Sequence, residues 1–178
     1  MGVFEGCVEC VERDFLSSVA AQAVVESGLI LLDTNVFLEL MLGQSKAADC
    51  EALLSAVSKG KIEAVVTHFS VHAVEAALGS GEPLLTFLRN LENSLALTVF
   101  ETGVAEEISA AMLTERKSLD FDDALQYYVA KRLGVEAIVS YDKHFDKLDV
   151  PRIEPSRLIK KLHNPEGQLK AQRQRTSG

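Results

Sequence analysis

The sequence has no hydrophobic run of the roughly 18–20 residues that a membrane-spanning helix requires, so a membrane protein is not expected. It has only 3 cysteines in 178 residues, which give no disulfide framework and are typical of a reducing cytosol. It shows no internal repeat, and its composition excludes collagen, a coiled coil and full-length disorder. With 47% hydrophobic and 25% charged residues, it is expected to form one soluble, cytoplasmic domain.

Several common catalytic signatures are also missing. No glycine-rich loop follows a predicted strand, and there is no G-x-S-x-G sequence, so nucleotide binding and serine hydrolysis have no support. Cys7 and Cys10 form one C-x-x-C pair without a second pair, which disfavours a zinc or redox site. His68 and His72 have metal-ligand spacing but lack the glutamate of the H-E-x-x-H motif. An aspartyl-phosphate phosphatase is disfavoured because Asn35 replaces the second aspartate of its motif.

Charge is unevenly distributed along the chain, whose formal net charge is −8. Residues 1–150 contain 24 acidic and 11 basic side chains, whereas residues 151–178 contain 7 basic and 2 acidic ones. The acidic body disfavours a generally basic nucleic-acid binder. The basic end either binds an RNA backbone or acts as a solubilising tail. The basic residues that could contact RNA are Lys160, Lys161, Lys170, Arg173 and Arg175.

Hydrophobic strands alternate with helices along most of the sequence. Strands are predicted over 29–33, 62–67, 95–100, 137–140 and 150–153, and the main helices over 3–26, 36–42, 47–59, 70–78, 83–92, 104–116, 120–133 and 157–162. Such alternation with short loops predicts a parallel sheet covered on both faces. We therefore expect a helical N-terminal extension over residues 1–28, an α/β domain over 29–162, and a flexible basic tail over 163–178.

Acidic residues occur where the predicted strands end or where the neighbouring helices begin. Asp33 ends the first strand, and Asp142 lies two residues beyond the fourth. Asp120 and Asp123 open the helix that leads into the fourth strand, and Glu75 lies in the helix after the second. Open parallel sheets bind ligands beyond the carboxyl ends of their strands, so we expect these side chains to face one cleft.

Each acid has a simpler structural explanation when it is taken alone. Asp33, Asp120 and Asp142 could cap helices, and Glu75 could lie on a solvated helix face. Together they would repel, since two carboxylates about 5 Å apart cost roughly 3 kcal/mol at an effective dielectric constant of about 20. A cluster of oxygen ligands without an obligatory thiolate or imidazole favours Mg²⁺ or Mn²⁺ over zinc. Such a metal site suits hydrolysis of a phosphodiester.

Four segments of the sequence resemble the motifs of the PIN-domain nucleases, and the resemblance spans about residues 29–153. The segments are Leu32-Asp33-Thr34-Asn35, Glu75 within a helix, Asp122-Asp123-Ala124, and Val139-Ser140-Tyr141-Asp142-Lys143-His144-Phe145. The first and last are the most specific, whereas Glu75 is assigned by its position more than by a pattern. The resemblance implies a three-layer α/β/α sandwich with a central parallel sheet, here preceded by an extra N-terminal helix.

The resemblance also implies an activity, the divalent-metal-dependent cleavage of single-stranded RNA by an endoribonuclease. The catalytic and Mg²⁺- or Mn²⁺-binding acids would be Asp33, Glu75, Asp123 and Asp142. Asn35 and Ser140 would be polar helpers, and Asp120 would be an extra ligand or would orient water. Asp122 is expected to be exposed, and His144 could touch a substrate phosphate.

The resemblance leaves the biological role open. Many small relatives are toxins inhibited by a cognate protein antitoxin, but this chain is longer at both ends, which also allows a role in processing ribosomal or transfer RNA. The expected partners are single-stranded or structured RNA, an antitoxin if the protein is a toxin, and a second copy of the chain. The alternative is a catalytically silent PIN-like module that binds RNA or a protein.

Overall fold

The computed structural model describes residues 28–163, and within this range a five-stranded parallel sheet is flanked by helices. The strands are β1 (Ile30–Leu32), β2 (Ala64–Thr67), β3 (Leu97–Phe100), β4 (Ala137–Val139) and β5 (Arg152–Ile153). The helices are α1 (Thr34–Met41), α2 (Ala47–Ser58), α3 (His68–Leu78), α4 (Glu82–Glu92), α5 (Val104–Lys117), α6 (Phe121–Leu133) and α7 (Pro155–His163), with a 3-10 helix over Lys143–Lys147. The strand order is β3-β2-β1-β4-β5.

The core consists of two hydrophobic layers, one on each face of the sheet. Successive side chains of a strand point to opposite faces, so Ile30 and Leu32 contribute to one layer and Leu31 to the other. The first layer packs beneath α1, α2 and α3, and the second packs beneath α6. Burial of β1 and β2 on both faces explains why these strands are continuous hydrophobic runs. The three-layer α/β/α sandwich is therefore confirmed.

The two central strands bring distant parts of the sequence together at one edge of the sheet. β1 pairs with β2 on one side and with β4 on the other. The chain runs from β1 outward through β2 and β3, and it then crosses back to form β4 and β5 on the opposite side of β1. The Asp33 N–H donates to the Val139 carbonyl oxygen over 3.1 Å, which extends this pairing beyond β1. This is the switch point at which open α/β sheets bind ligands.

Turn residues set the ends of the helix that supplies the other acids. α6 begins after Asp120, whose side chain accepts a hydrogen bond from the Asp123 N–H, and it ends before Gly134. Gly134 has a φ of 65°, a left-handed conformation that glycine adopts without steric cost. The predicted helix and its glycine terminator are thus confirmed. The predicted N-terminal helix over 3–26 and the basic tail lie outside the described residues.

The residues that the structure describes contain no helix that combines the length and the hydrophobicity needed to cross a membrane.

Candidate active site

Asp33 lies at the carboxyl end of β1 and is only 4% exposed. Its Oδ1 accepts a hydrogen bond from Gln126 Nε2 over 3.1 Å, and its Oδ2 accepts one from the Ser140 hydroxyl over 2.5 Å and one from the Asn35 amide. Asp33 precedes α1 but its side chain forms no capping hydrogen bond, so the helix-cap alternative is wrong for this residue. Three donors instead fix the carboxylate at the edge of the sheet.

Burial has a large effect on the ionisation of Asp33. Loss of hydration raises the pKa of its carboxyl group to about 6, although the hydrogen bonds from Ser140 and Gln126 oppose the rise. The negative charge of Asp122 raises the pKa further. The ionised carboxylate is therefore unfavourable in the apo protein, and a nearby cation would stabilise it.

Ser140 links the acid that follows β1 to the acid that follows β4. Its hydroxyl donates to Asp33 and accepts the Asp142 N–H over 2.8 Å and the Asn35 amide over 3.0 Å. The Asp142 carboxylate is half-buried, and its Oδ1 caps the 3-10 helix by accepting the His144 N–H over 2.8 Å. One hydroxyl group thus determines the relative positions of two of the predicted metal ligands.

Asp123 is the third acid of this cluster and lies in the first turn of α6. It is 7% exposed, and its buried Oδ2 has no hydrogen-bond partner among the residues that the structure describes. Burial raises the pKa of Asp123 to about 7, and the negative charges of Asp120, Asp33 and Asp142 contribute to the rise. A buried carboxylate oxygen without a donor is costly, which makes Asp123 a candidate ligand for a cation.

His144 lies against two of these aspartates. Its Nδ1 is 3.3 Å from Asp142 Oδ1 and 3.4 Å from Asp123 Oδ2. One ligand atom from each of these three residues lies within 4.8 Å of the others, and within residues 28–163 this is the one such group of histidine, cysteine or acidic side chains. The sequence analysis did not predict a metal ligand at His144.

Glu75 and Asp120, the remaining predicted acids, have other contacts in the structure. Glu75 lies on α3 with 31% of its side chain exposed, and its carboxylate accepts a hydrogen bond from His72 Nδ1 over 2.8 Å. It does not belong to the three-residue group around Asp123. Asp120 caps α6 through a 2.9 Å hydrogen bond to the Asp123 N–H, so the capping alternative holds for this residue.

Asp122 is not exposed, contrary to the prediction. Its Oδ2 accepts the Thr34 hydroxyl over 3.3 Å, and its Oδ1 is buried without a partner among the described residues. Burial raises the pKa of Asp122, while hydrogen bonds from Gln126, Thr34 and Ser70 oppose the rise. The prediction is wrong because the first turn of α6 packs against the start of α1 and α3 rather than facing solvent.

Gln126 is a polar residue of the site that the sequence analysis did not identify. It is fully buried in α6, where it donates to Asp33 and also interacts with Asp122. It lies one helical turn beyond Asp122 and Asp123, among otherwise apolar buried residues. The sequence did contain a signal for it: Gln126 follows Asp122 by four residues and Asp123 by three, a spacing at which helical side chains can interact. An amide within a mostly hydrophobic helix segment also needs a hydrogen-bond partner.

Apart from His144, the clustered aspartates have no basic partner among the described residues. Among residues 28–163, no lysine or arginine forms an ion pair with Asp33, Asp123 or Asp142. Arg152, which also binds the carbonyl oxygen of Ser140, pairs instead with Asp146 over 2.6 Å. The carboxylates and their orphaned oxygen therefore fit a hard divalent cation, for which carboxylate oxygen is a preferred ligand.

The fold is that of an open α/β protein with a parallel sheet, and its aspartates lie beyond the carboxyl ends of β1 and β4. Comparison with known proteins identifies the family. The sequence profile of the PIN domain matches residues 30–151, so the chain belongs to the PIN domain family. No curated protein sequence matches the chain.

Solved structures with the same fold share little sequence with this chain. VapC20 of Mycobacterium tuberculosis, described as a sarcin-ricin loop cleaving toxin, is 16% identical with a TM-score of 0.59, over 71% of this chain and 99% of its own. A toxin–antitoxin complex from Klebsiella pneumoniae is 13% identical with a TM-score of 0.56, over 71% of this chain and 97% of its own. PAE2754 from Pyrobaculum aerophilum is 19% identical with a TM-score of 0.51, over 75% and 96%. At these identities, the similarity shows the fold.

Proposed function

We propose that this PIN-domain protein is a divalent-metal-dependent endoribonuclease that hydrolyses phosphodiester bonds of single-stranded RNA. The observation that carries the proposal is the cluster at the switch point, in which ligand atoms of Asp123 and Asp142 lie within 4.8 Å of each other and Ser140 hydrogen-bonds to both Asp33 and the Asp142 backbone. No lysine or arginine among residues 28–163 pairs with these aspartates. Membership of the PIN family and the likeness in fold to VapC20 support the same activity.

The aspartate cluster would hold the ion, which we propose to be Mg²⁺ or Mn²⁺. Asp33, Asp123 and Asp142 would be ligands, and Glu75 would complete the site or orient water. When bound, the cation would neutralise nonbridging phosphate oxygens, acidify the attacking water and stabilise the leaving oxygen. Asp120 would act by holding the first turn of α6 in place, since its side chain is bound to the Asp123 N–H.

The protein's own side chains would position this chemistry. The Asp33 carboxylate accepts hydrogen bonds from Asn35, Ser140 and Gln126, and these fix its orientation. Water would form a bond to phosphorus as the bond from phosphorus to the 3′ oxygen breaks, and the water would lose a proton while the 3′ oxygen gains one. The products would be a 5′-phosphate and a 3′-hydroxyl.

Two biological roles are compatible with this activity. We propose a toxin with a protein antitoxin as its partner, because the similar structures include VapC20 and a toxin–antitoxin complex. RNA processing by a cytoplasmic enzyme, with or without a homodimer, is the second role. A small open reading frame directly upstream that encodes an inhibitor of the cleavage would favour the toxin.

Cleavage of a labelled single-stranded RNA tests the activity. Wild-type protein with Mn²⁺ should cut, whereas EDTA or the substitution Asp33→Asn should lower the rate by about 10³-fold or more. Glu115→Gln, at an exposed carboxylate of α5, is the matched control and should cut normally. Full activity of Asp33→Asn, with contaminating nuclease removed, would contradict the proposal. Metal binding without cleavage of any RNA would favour the silent binding module.

A further inference from the structure

His144 is a side chain to which the proposed activity assigns no role, yet it occupies the aspartate cluster. Its Nδ1 lies 3.3 Å from Asp142 Oδ1 and 3.4 Å from Asp123 Oδ2. Neighbouring ligand atoms around a six-coordinate ion with bonds of about 2.1 Å lie about 3 Å apart. The imidazole nitrogen is therefore spaced from each of the two carboxylate oxygens like an adjacent ligand of one ion, and one ligand atom from each of the three residues lies within 4.8 Å of the others.

The fold imposes this position on His144. The Asp142 carboxylate caps the 3-10 helix by accepting the His144 N–H over 2.8 Å, which fixes the backbone of the histidine two residues further on. Phe145, the next residue, is completely buried in the core. On the far side of the 3-10 helix, Arg152 binds both Asp146 over 2.6 Å and the carbonyl oxygen of Ser140 over 2.9 Å. Only the ring of His144, whose side chain is 64% exposed, can adjust.

The buried carboxylate that faces His144 independently indicates a ligand. The side chain of Asp123 is nine-tenths buried, and the oxygen closest to the imidazole, Oδ2, has no hydrogen-bond partner among the described residues. Buried polar atoms are almost always satisfied, so this oxygen lacks a partner that the functional protein should supply. An ion held between Asp123 and His144 would satisfy both.

We propose that His144 is a ligand of the divalent ion through Nδ1, and that it shifts the preference of the site from Mg²⁺ toward Mn²⁺ and Co²⁺. The inference rests on the metal site of the proposed function and adds a nitrogen ligand to it. Mg²⁺ strongly prefers oxygen ligands, whereas imidazole binds first-row transition ions better. A site made of aspartates alone would discriminate less between these ions.

Metal binding by the full-length, tag-free protein tests the proposal without any RNA. Titration of Mn²⁺, followed by its electron paramagnetic resonance signal, should show affinity reduced on the order of tenfold in His144→Ala, with Mg²⁺ affinity measured by competition almost unchanged. His163→Ala, at the last residue of α7, is the matched control and should bind both ions as wild type does. Electron spin echo measurements should detect a ¹⁴N nucleus coupled to Mn²⁺ in wild type and in His163→Ala, but not in His144→Ala.

Each outcome either supports or overturns the assignment of His144 as a metal ligand. Bound Mn²⁺ without ¹⁴N coupling, and unchanged affinity in His144→Ala, would overturn the inference while leaving the aspartate site and the proposed activity intact. Unchanged Mn²⁺ affinity with weaker RNA binding would instead make the histidine a phosphate contact. If folded wild-type protein binds no Mn²⁺, the proposed function and this inference both fail. If His144→Ala does not fold by circular dichroism, His144→Asn replaces it, with the same loss of imidazole coupling expected.

Discussion

Asp33 and Glu75, two of the four acids proposed for the site, are held in very different ways. Asp33 is 4% exposed and accepts hydrogen bonds from Asn35, Gln126 and Ser140, which belong to three different segments of the chain. Glu75 keeps 31% of its side chain exposed and is held by one exposed histidine, His72, from its own helix. The comparison indicates that the edge of the sheet supplies a rigid part of the site, and that α3 supplies an adjustable part.

Topology explains the difference. Asp33 follows the central strand β1, where crossovers leave the sheet on both sides, so later elements of the chain pack around it. Glu75 lies about two turns into α3, next to the buried Val71 and Val74 but with 31% of its side chain exposed. Asp33 is therefore surrounded by donors from several elements, whereas Glu75 is partly exposed and hydrogen-bonds to a residue of its own helix.

The largest expected effect is on the free energy of unfolding, and it comes from the buried negative charges at the edge of the sheet. Burial raises the pKa of Asp33 to about 6, and burial with neighbouring carboxylates raises that of Asp123 to about 7. The folded apo protein therefore binds more protons than the unfolded chain between about pH 4 and 7, so its free energy of unfolding should fall as pH rises through that window. At pH 8, Asp33→Asn should be about 2 kcal/mol more stable than wild type, since the removed charge outweighs one lost hydrogen-bond acceptor.

Urea denaturation in EDTA between pH 5 and 8 measures this effect. Glu115→Gln should follow the wild-type profile, because that carboxylate is exposed. Mn²⁺ at pH 8 should stabilise wild type more than Asp33→Asn. A wild-type protein that becomes more stable as pH rises from 5 to 8 would contradict the electrostatic description of the rigid part.

A smaller effect is expected from Gln126, which supports Asp33 without belonging to the cluster. In Gln126→Leu the Asp33 Oδ1 loses its donor, and the loss of a hydrogen bond to a charged group should lower kcat by about tenfold to a hundredfold. Because that hydrogen bond lowers the pKa of Asp33, the acidic limb of the pH–rate profile should move to higher pH. Tyr127→Phe, which removes only a contact to Asp149 on another face of α6, is the control. An unchanged profile in Gln126→Leu would mean that the rigid part does not depend on this amide.

The smallest effects are expected in the adjustable part. Glu75→Gln should lower kcat by about tenfold, because a half-exposed carboxylate can be replaced partly by water. His72→Ala should change it by less than about fivefold, as exposed ion pairs contribute little. Steady-state cleavage at saturating Mn²⁺ measures both variants against Asp33→Asn. If Glu75→Gln is as inactive as Asp33→Asn, the distinction between a rigid and an adjustable part is wrong.

The sequence was sufficient to predict the architecture and two of the three side chains that donate hydrogen bonds to Asp33. Hydrophobic runs that end in polar residues predicted parallel strands, and the structure confirms the parallel sheet. The same rule placed Asp33 at the edge of this sheet, and the resemblance to the PIN-domain nucleases added Ser140, which hydrogen-bonds to Asp33 although the two are 107 residues apart. Asn35 joins them, as its position in the first motif indicated.

The orientation of α6 could not be predicted in the same way. Five consecutive residues of this helix, 123–127, are buried, so hydrophobic periodicity does not identify a solvent-facing side. Asp122 was therefore expected to be exposed, and Gln126 was overlooked. Both follow from how α6 packs against α1 and the sheet, which depends on contacts between segments about 90 residues apart.

The Ser140 hydroxyl has a consequence for the time at which activity can arise during protein synthesis. A ribosome that has translated the first three strands has made Asp33 and Glu75, but neither Ser140 nor Asp142 yet exists. The carboxylate after β1 then lacks its serine donor, and the cluster lacks one of its acids. Proteins fold progressively as they emerge, so the proposed metal site would stay incomplete until β4 has paired with β1. The proposed activity would therefore depend on one of the last steps of the domain's assembly.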